Sequence, residues 1–212
     1  MARVDYNAIA DRYDAGRAAP LDALGPWRSA VEPHVPAAGV VLDVGSGTGI
    51  FAEAFARWFG VRVIGVEPSA GMRAQFSDLD RCACEIGRAL TLNGTVLIRS
   101  AFPGRLDHIR LFDYFPMARE VAETFPTVAA TAAAFAAAGF VVVALERVEQ
   151  QWAPSLRAYA GRVRLRTDST LAPLTDAEFR AGLRKLDLDA AREHQPSPVV
   201  DGLDLLVLTR EV

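Results

Sequence analysis

The sequence predicts an α/β fold organised by a parallel βαβ unit that holds a nucleotide-like ligand. Three observations predict it. Residues 40–72, VVLDVGSGTGIFAEAFARWFGVRVIGVEPSAGM, read as a buried strand (Val40–Val44), a glycine turn, a helix (about Ile50–Phe59) and a second buried strand (Arg62–Val66). That second strand runs into an acid, Glu67, placed to accept hydrogen bonds from both hydroxyls of a ribose. Further strand-like runs then alternate with helical stretches to the end of the chain, the arrangement of an α/β domain.

Each part of the unit has a reason. Gly45, Gly47 and Gly49 have no Cβ, so the backbone turns sharply and comes close to a ligand. The first amide N–H groups of the following helix are free to bond it. A dinucleotide site needs G-x-G-x-x-G with a pyrophosphate on the helix N-terminus. Here the third glycine position is Ile50, and Asp43 precedes the turn. A carboxylate there repels a pyrophosphate and suits a cationic amine. S-adenosylmethionine has an ammonium group, a ribose and no phosphate. DVGSGTG followed by GVEPS thus resembles the cofactor motifs of class I S-adenosylmethionine-dependent methyltransferases, a Rossmann-like α/β fold. A nicotinamide-dependent oxidoreductase is disfavoured by Ile50 and Asp43.

The resemblance implies that Asp43 faces the methionine end of S-adenosylmethionine and that Gly45, Ser46, Gly47 and Gly49 line it. Glu67 would bind the ribose, with Pro68 and Met72 against the adenine edge. Ser46 and Thr48 also read as helix-capping hydroxyls, Asp43 as a cap on the glycine loop and Glu67 as a surface carboxylate.

The chain has 212 residues, 51% hydrophobic and 23% charged, which fits one globular domain with a real core. A net charge of −3 gives no electrostatic case for nucleic acid. No apolar run approaches the roughly 18 residues of a membrane span, and the polar start MARVDYNAIADRYDAGR is no signal peptide. Cys82 and Cys84 sit on a predicted helix and point to different faces. Two thiols make no zinc site, so free thiols in a reducing cytoplasm are expected and no metal.

Along the chain, Tyr6–Gly16 reads as a helix, similar to the segment that many small-molecule methyltransferases fold over the cofactor. Leu21–His34 is a second helix interrupted at Gly25–Pro26, so residues 1–36 form a helical cap on an α/β core over 37–212. After the βαβ unit, Ser77 or Asp78 reads as the N-cap of an amphipathic helix over Asp80–Leu90. Leu92-Asn93-Gly94 is a tight turn and Thr95–Ser100 a buried strand. These resemble the family's fourth helix and fifth strand. The family's third and fourth strands then have no counterpart, because two crossover units of roughly 30 residues each do not fit within Pro68–Gly94. The fourth strand normally lies between the first and the fifth. Three explanations are open: a shortened sheet with the first strand paired directly to the fifth, an internal deletion, or a stretch omitted with the numbering closed up.

The remainder resembles the family again. A lid insertion spans about 101–123. Thr124–Ala138 reads as a helix with Thr124 as N-cap and Gly139 as C-cap. Phe140–Gln150 is a strand, Ser155–Val163 a helix, Thr175–Glu178 a capping box opening a helix over Asp176–Leu186, and Leu203–Thr209 the last strand. The resemblance makes the two terminal strands antiparallel, in a mostly parallel twisted sheet shortened by two strands. Arg162, Arg164 and Arg166 alternate as on an extended, solvated edge, with an anionic-substrate site as the alternative.

Methyl transfer to a sulfonium-activated donor leans on proximity and needs a base only when the nucleophile must lose a proton. Catalytic residues are therefore poorly marked. Phe102, Arg105, His108, Phe112, Tyr114 and Phe115 follow the fifth strand and form either an acceptor pocket or a lid packed by its own aromatics. His108 is the weak candidate base. The expected partner is a small-molecule acceptor, with a homodimer open. The rival is a non-catalytic relative or partner subunit that has lost cofactor binding.

Overall fold

Eight α-helices and five strands alternate in the described part of this computed structural model, which covers residues 21–47, 49–66 and 79–211. Strand β1 (Val40–Val44), helix α2 (Ile50–Phe59) and strand β2 (Arg62–Val66) fall on the expected residues. They follow α1 (Gly25–Val31), which sits between 3₁₀ turns at Leu21–Leu24 and Glu32–His34. The Gly25–Pro26 interruption is thus the start of the α-helix, where proline is tolerated because its missing N–H has no intrahelical partner. The predicted Tyr6–Gly16 helix lies outside the described residues.

β1 and β2 pair in parallel, with Val40 opposite Arg62 and Val44 opposite Val66. Further on come α3 (Leu79–Ala89) and β3 (Thr95–Ser100). The lid region carries α4 (Leu111–Tyr114) and α5 (Pro116–Ala122), the latter a helix the sequence reading missed. Then follow α6 (Val128–Ala137), β4 (Phe140–Ala153), α7 (Leu156–Val163), α8 (Asp176–Ala191) and β5 (Val199–Arg210). β5 is flanked by β3 and β4 in a second sheet. It runs antiparallel to β3, with Thr95 opposite Thr209 and Ser100 opposite Asp204.

The two sheets are separate: β1 and β3 are not hydrogen-bonded to each other. Direct pairing of the first strand with the family's fifth is therefore overturned. Among the described residues no strand joins the two sheets. Right-handed crossovers put the helix that follows a strand on one face of a sheet, and α2 packs against β2. The other face carries Val40, Leu42, Val44, Ile64 and Val66, all exposed.

The chain divides into two compact units. One comprises Met1–Pro26, Pro103–Phe125 and Glu149–Leu203; the other comprises Trp27–Phe102, Pro126–Val148 and Asp204–Val212. The second contains the glycine turn. Its core joins Ala83 of α3, Phe102, Phe135 of α6, Phe140 of β4, and Leu206 and Leu208 of β5. Arg210 locks the end of β5 to α3, its Nη1 donating to the carbonyls of Gly87 (2.5 Å) and Leu90 (3.1 Å). In the first unit α7 packs on α8, and Phe115 stacks on Phe179 with ring centroids 5.7 Å apart.

Two local expectations are corrected. The N-cap of α6 is Thr127, whose side chain accepts from the Ala130 amide, while the Thr124 hydroxyl bonds back to the Val121 carbonyl at the end of α5. The Arg162–Arg166 segment is no strand. Arg162 lies in α7, Arg164 caps it, and Arg166 takes a positive φ of 51°. Each arginine is tied down: Arg162 donates to the Trp152 carbonyl, Arg164 pairs with Asp187, and Arg166 bonds Asp176 and the Leu171 and Leu174 carbonyls. Arginines at alternate positions suggest a period of two, but here their long side chains close a helix end instead. The Thr175–Glu178 capping box is present in full. Among the described residues no helix is long and apolar enough to cross a membrane.

Candidate cofactor site

The glycine turn is built as its composition demands. Gly45, Gly47 and Gly49 all take positive φ (77°, 54° and 86°), the region that L side chains rarely adopt. The turn is closed by backbone bonds. The Gly45 and Ser46 amides donate to the Val66 carbonyl at 2.7 and 3.3 Å, and the Gly49 amide donates to the Ser46 carbonyl at 2.8 Å. The turn is thereby fastened to the end of β2, the strand that leads to Glu67. Gly49 is the N-cap of α2 and supplies no side-chain bond. The helix-capping role of Ser46 is thus corrected: the cap is backbone only. Ser46 instead lies against β2, where a Cβ on Gly65 would come within 3.0 Å of its hydroxyl. Gly65 is the one glycine here needed for close approach rather than for its φ.

Asp43 lies at the end of β1, partly buried, in register with Gly65. Its Oδ2 is buried and accepts no hydrogen bond in the structure, although the residue as a whole is not without partners. Among the described residues a Cβ on Gly45 or Gly49 would meet nothing within 4 Å, so these leave open space beside the turn. Glu67, Pro68, Met72 and Thr48 lie outside the described residues.

The sequence reading missed the neighbours of this turn. Arg99, near the end of β3, places its guanidinium carbon 4.9 Å from the Trp27 ring centroid and 5.2 Å from that of Phe51. The two rings meet edge to face at 6.1 Å. Phe51 is the second residue of α2, directly after the turn. The signal for this cluster was an arginine inside the otherwise apolar run TVLIRS.

The acceptor-side candidates divide. Phe102, Phe112, Tyr114 and Phe115 are buried, which favours packing over an open acceptor pocket; Phe102 packs in the core of the second unit and Phe115 on Phe179 of α8. His108 is exposed, and its carbonyl accepts from the Gly202 amide at 2.8 Å. Beside it, Asp201 of β5 is buried and accepts from the Arg110 amide at 2.7 Å. Burial pushes the Asp201 carboxyl up to about 7, with Asp168 adding to the rise and the Arg110 bond opposing it. Tyr159 on α7 is held well above its ordinary value by burial and by Asp201 and Asp168. Asp201 and Asp204 interrupt the apolar run of β5, and that interruption was the legible sign of them. Among the described residues no group of His, Cys, Asp and Glu could hold a metal ion.

Comparison with known proteins agrees with this geometry. The family model described as "Methyltransferase domain" matches residues 42–83, from β1 through the glycine turn into α3. No curated protein matches the chain in sequence. Among solved structures, the cyclase SpnF superposes with a TM-score of 0.54 at 17% identity, covering 93% of this chain and 85% of that one. The mycolic acid cyclopropane synthase CmaA1 gives 0.53 at 12% identity, with 96% and 95% covered. Haemonchus contortus phosphoethanolamine N-methyltransferase 2 gives 0.52 at 15% identity; 98% of this chain matches 57% of that one. The fold is that of the class I S-adenosylmethionine-dependent methyltransferases.

Proposed function

We propose that this chain binds S-adenosylmethionine at the glycine turn and transfers its methyl group to a small-molecule acceptor. The observation that carries the reading is the turn itself: three positive-φ glycines between β1 and α2, with open space where two Cβ atoms would stand, inside the stretch that matches the methyltransferase family model. Asp43 would hold the ammonium group, and the turn amides would lie along the methionine. Glu67 would take the ribose hydroxyls, with Pro68 and Met72 at the adenine. The structures of similar fold support the cofactor: CmaA1 was solved with S-adenosylhomocysteine, and the Haemonchus enzyme with that product and phosphomonomethylethanolamine. The bound cofactor supplies an electrophilic methyl on a sulfonium, so the protein's task is chiefly to hold the acceptor in line. His108 is the proposed base where the acceptor must lose a proton. The free thiols of Cys82 and Cys84 support a reducing cytoplasm.

A melt with and without excess S-adenosylhomocysteine tests the reading. Near 100 times Kd the ligand adds ~2.7 kcal/mol, which raises Tm by roughly 5–10 °C at this size. Gly49→Ala, which forces a side chain into a positive φ, is expected to abolish the shift.

One observation favours a second reading, a non-catalytic relative. No described strand joins β1 to β3, and a site short of the family's central strand would hold the cofactor poorly. A cooperative melt that S-adenosylhomocysteine leaves unmoved supports that reading and overturns the first.

A further inference from the structure

Asp201 and Gly202, consecutive residues of β5, grip two points of one strap. The Asp201 carboxylate accepts from the Arg110 amide at 2.7 Å, and the Gly202 amide donates to the His108 carbonyl at 2.8 Å. The strap, residues 106–111, belongs to the same compact unit as Asp201 and Gly202. Leu106 and Leu111 anchor it by burial, while Asp107, His108 and Arg110 between them are exposed.

The carboxyl of this grip is poorly placed to carry charge. Asp201 is 5% exposed. The charged and titratable groups that face it are Arg110 of the strap, Asp113 of α4, Asp168 from the segment between α7 and α8, and Tyr159 of α7, with Tyr114 of α4 beyond Tyr159. Asp168 is fixed in place, its Oδ1 accepting from the Thr170 hydroxyl at 2.7 Å and the Thr170 amide at 2.9 Å. Arg110 turns its guanidinium to Asp113 at 3.0 Å, at an exposed position where water screens it. A neutral carboxyl is tolerated in such surroundings. An ionised one is relieved by turning out to water, and in doing so it drops the Arg110 amide.

We propose that the Asp201–Gly202 grip is a proton-operated latch, which holds residues 106–111 against β5 while Asp201 keeps its proton and releases them when the carboxyl ionises. The strap carries His108, the proposed base, so the latch sets whether that residue is held. The inference stands apart from the cofactor reading, and its test uses no ligand.

The test is amide hydrogen exchange of the full chain, followed by NMR at pH 5.5 and 8, corrected for the intrinsic pH dependence, with and without low urea. The Arg110 and Gly202 amides report the two bonds directly. Their protection is expected to fall about tenfold or more between the two pH values. The openings should be nearly independent of urea, because a local release exposes little surface. Asp201→Asn keeps an acceptor for the Arg110 amide and does not ionise, so its protection should change by less than about twofold over the same range. Asp168→Asn removes one facing carboxylate and should make the fall smaller; it serves if Asp201→Asn does not fold. A fall that persists undiminished in either variant belongs to another group, His108 included, and overturns the latch. So does wild-type protein in which neither amide shows the fall. Amides that share the urea dependence of Leu206 in the body of β5 overturn it too, because the carboxyl then opens only with the whole fold.

Discussion

The two sheets are written in nearly the same letters and end in different surroundings. β1 (VVLDV) and β2 (RVIGV) are apolar runs, as is β5 (LDLLVL in its body). Yet Leu205, Leu206, Val207 and Leu208 are at most 1% exposed, whereas Val40 is 55% and Leu42 46% exposed. β5 has a strand on either side and is buried on both faces. β1 has one partner strand, and one of its faces has no described cover. The difference teaches that an apolar strand acquires its burial from its neighbours.

The sharpest way to break this comparison is to truncate one leucine in each sheet. Leu206→Ala, in the core with Phe135 and Phe140, is expected to cost about 2–5 kcal/mol in denaturant unfolding. Leu42→Ala, half exposed, should cost less than ~1 kcal/mol. Equal costs would mean that the face of β1 is covered in solution. Native-state hydrogen exchange sharpens the same point: β5 amides should exchange only by global unfolding, and β1 and β2 amides through smaller openings.

A second effect sits on the first half of β5. Asp201 has its carboxyl raised from 3.8 to about 7 by burial. A raised carboxyl favours the unfolded chain once it must ionise, so its cost is absent below about pH 4. The cost grows as pH rises through 4–7 and is complete above 7. Asp201→Asn keeps an acceptor for the Arg110 amide and removes the titration. It should stabilise the protein at pH 8 by up to ~4 kcal/mol, with the gain vanishing near pH 4. A wild-type-like Tm profile from pH 4 to 8 in the variant would show that Asp201 is not the group responsible.

Smaller effects test the helix that packs beneath β5. Thr127→Ala removes the cap of α6 and should cost about 1 kcal/mol; Thr124→Ala, at the position the sequence suggested, should cost less. On α2, which serves the other sheet, the Arg57–Glu53 pair is exposed on both sides. Arg57→Ala should therefore move stability by at most ~0.5 kcal/mol, measured by thermal melting at low and high salt.

Much of this was legible because it is local. The glycines of the turn, the strand and helix bounds of β1–α2–β2, the Asn93–Gly94 turn and the Thr175 capping box are fixed by backbone φ and by bonds between residues a few positions apart. The readings that failed are those in which a side chain chooses a distant partner. Thr124 gives its hydroxyl to Val121, so Thr127 caps α6. Arg164 reaches Asp187, so a run that looked extended closes a helix. Phe112, Tyr114 and Phe115 read from sequence as pocket or packing, with packing favoured, and burial agrees with packing.

By itself the sequence determined the glycine turn, the order of the strands and of the helices other than α5, and the lack of room for two crossover units, since all three depend on residue type and spacing along the chain. Only the tertiary structure decided that β1 and β3 stay apart instead of closing the gap. It alone placed Arg99 between Trp27 and Phe51 and buried Asp201 beside Arg110. These outcomes depend on which groups remain near one another once backbone pairing and apolar burial have been satisfied elsewhere, and no short-range pattern encodes them.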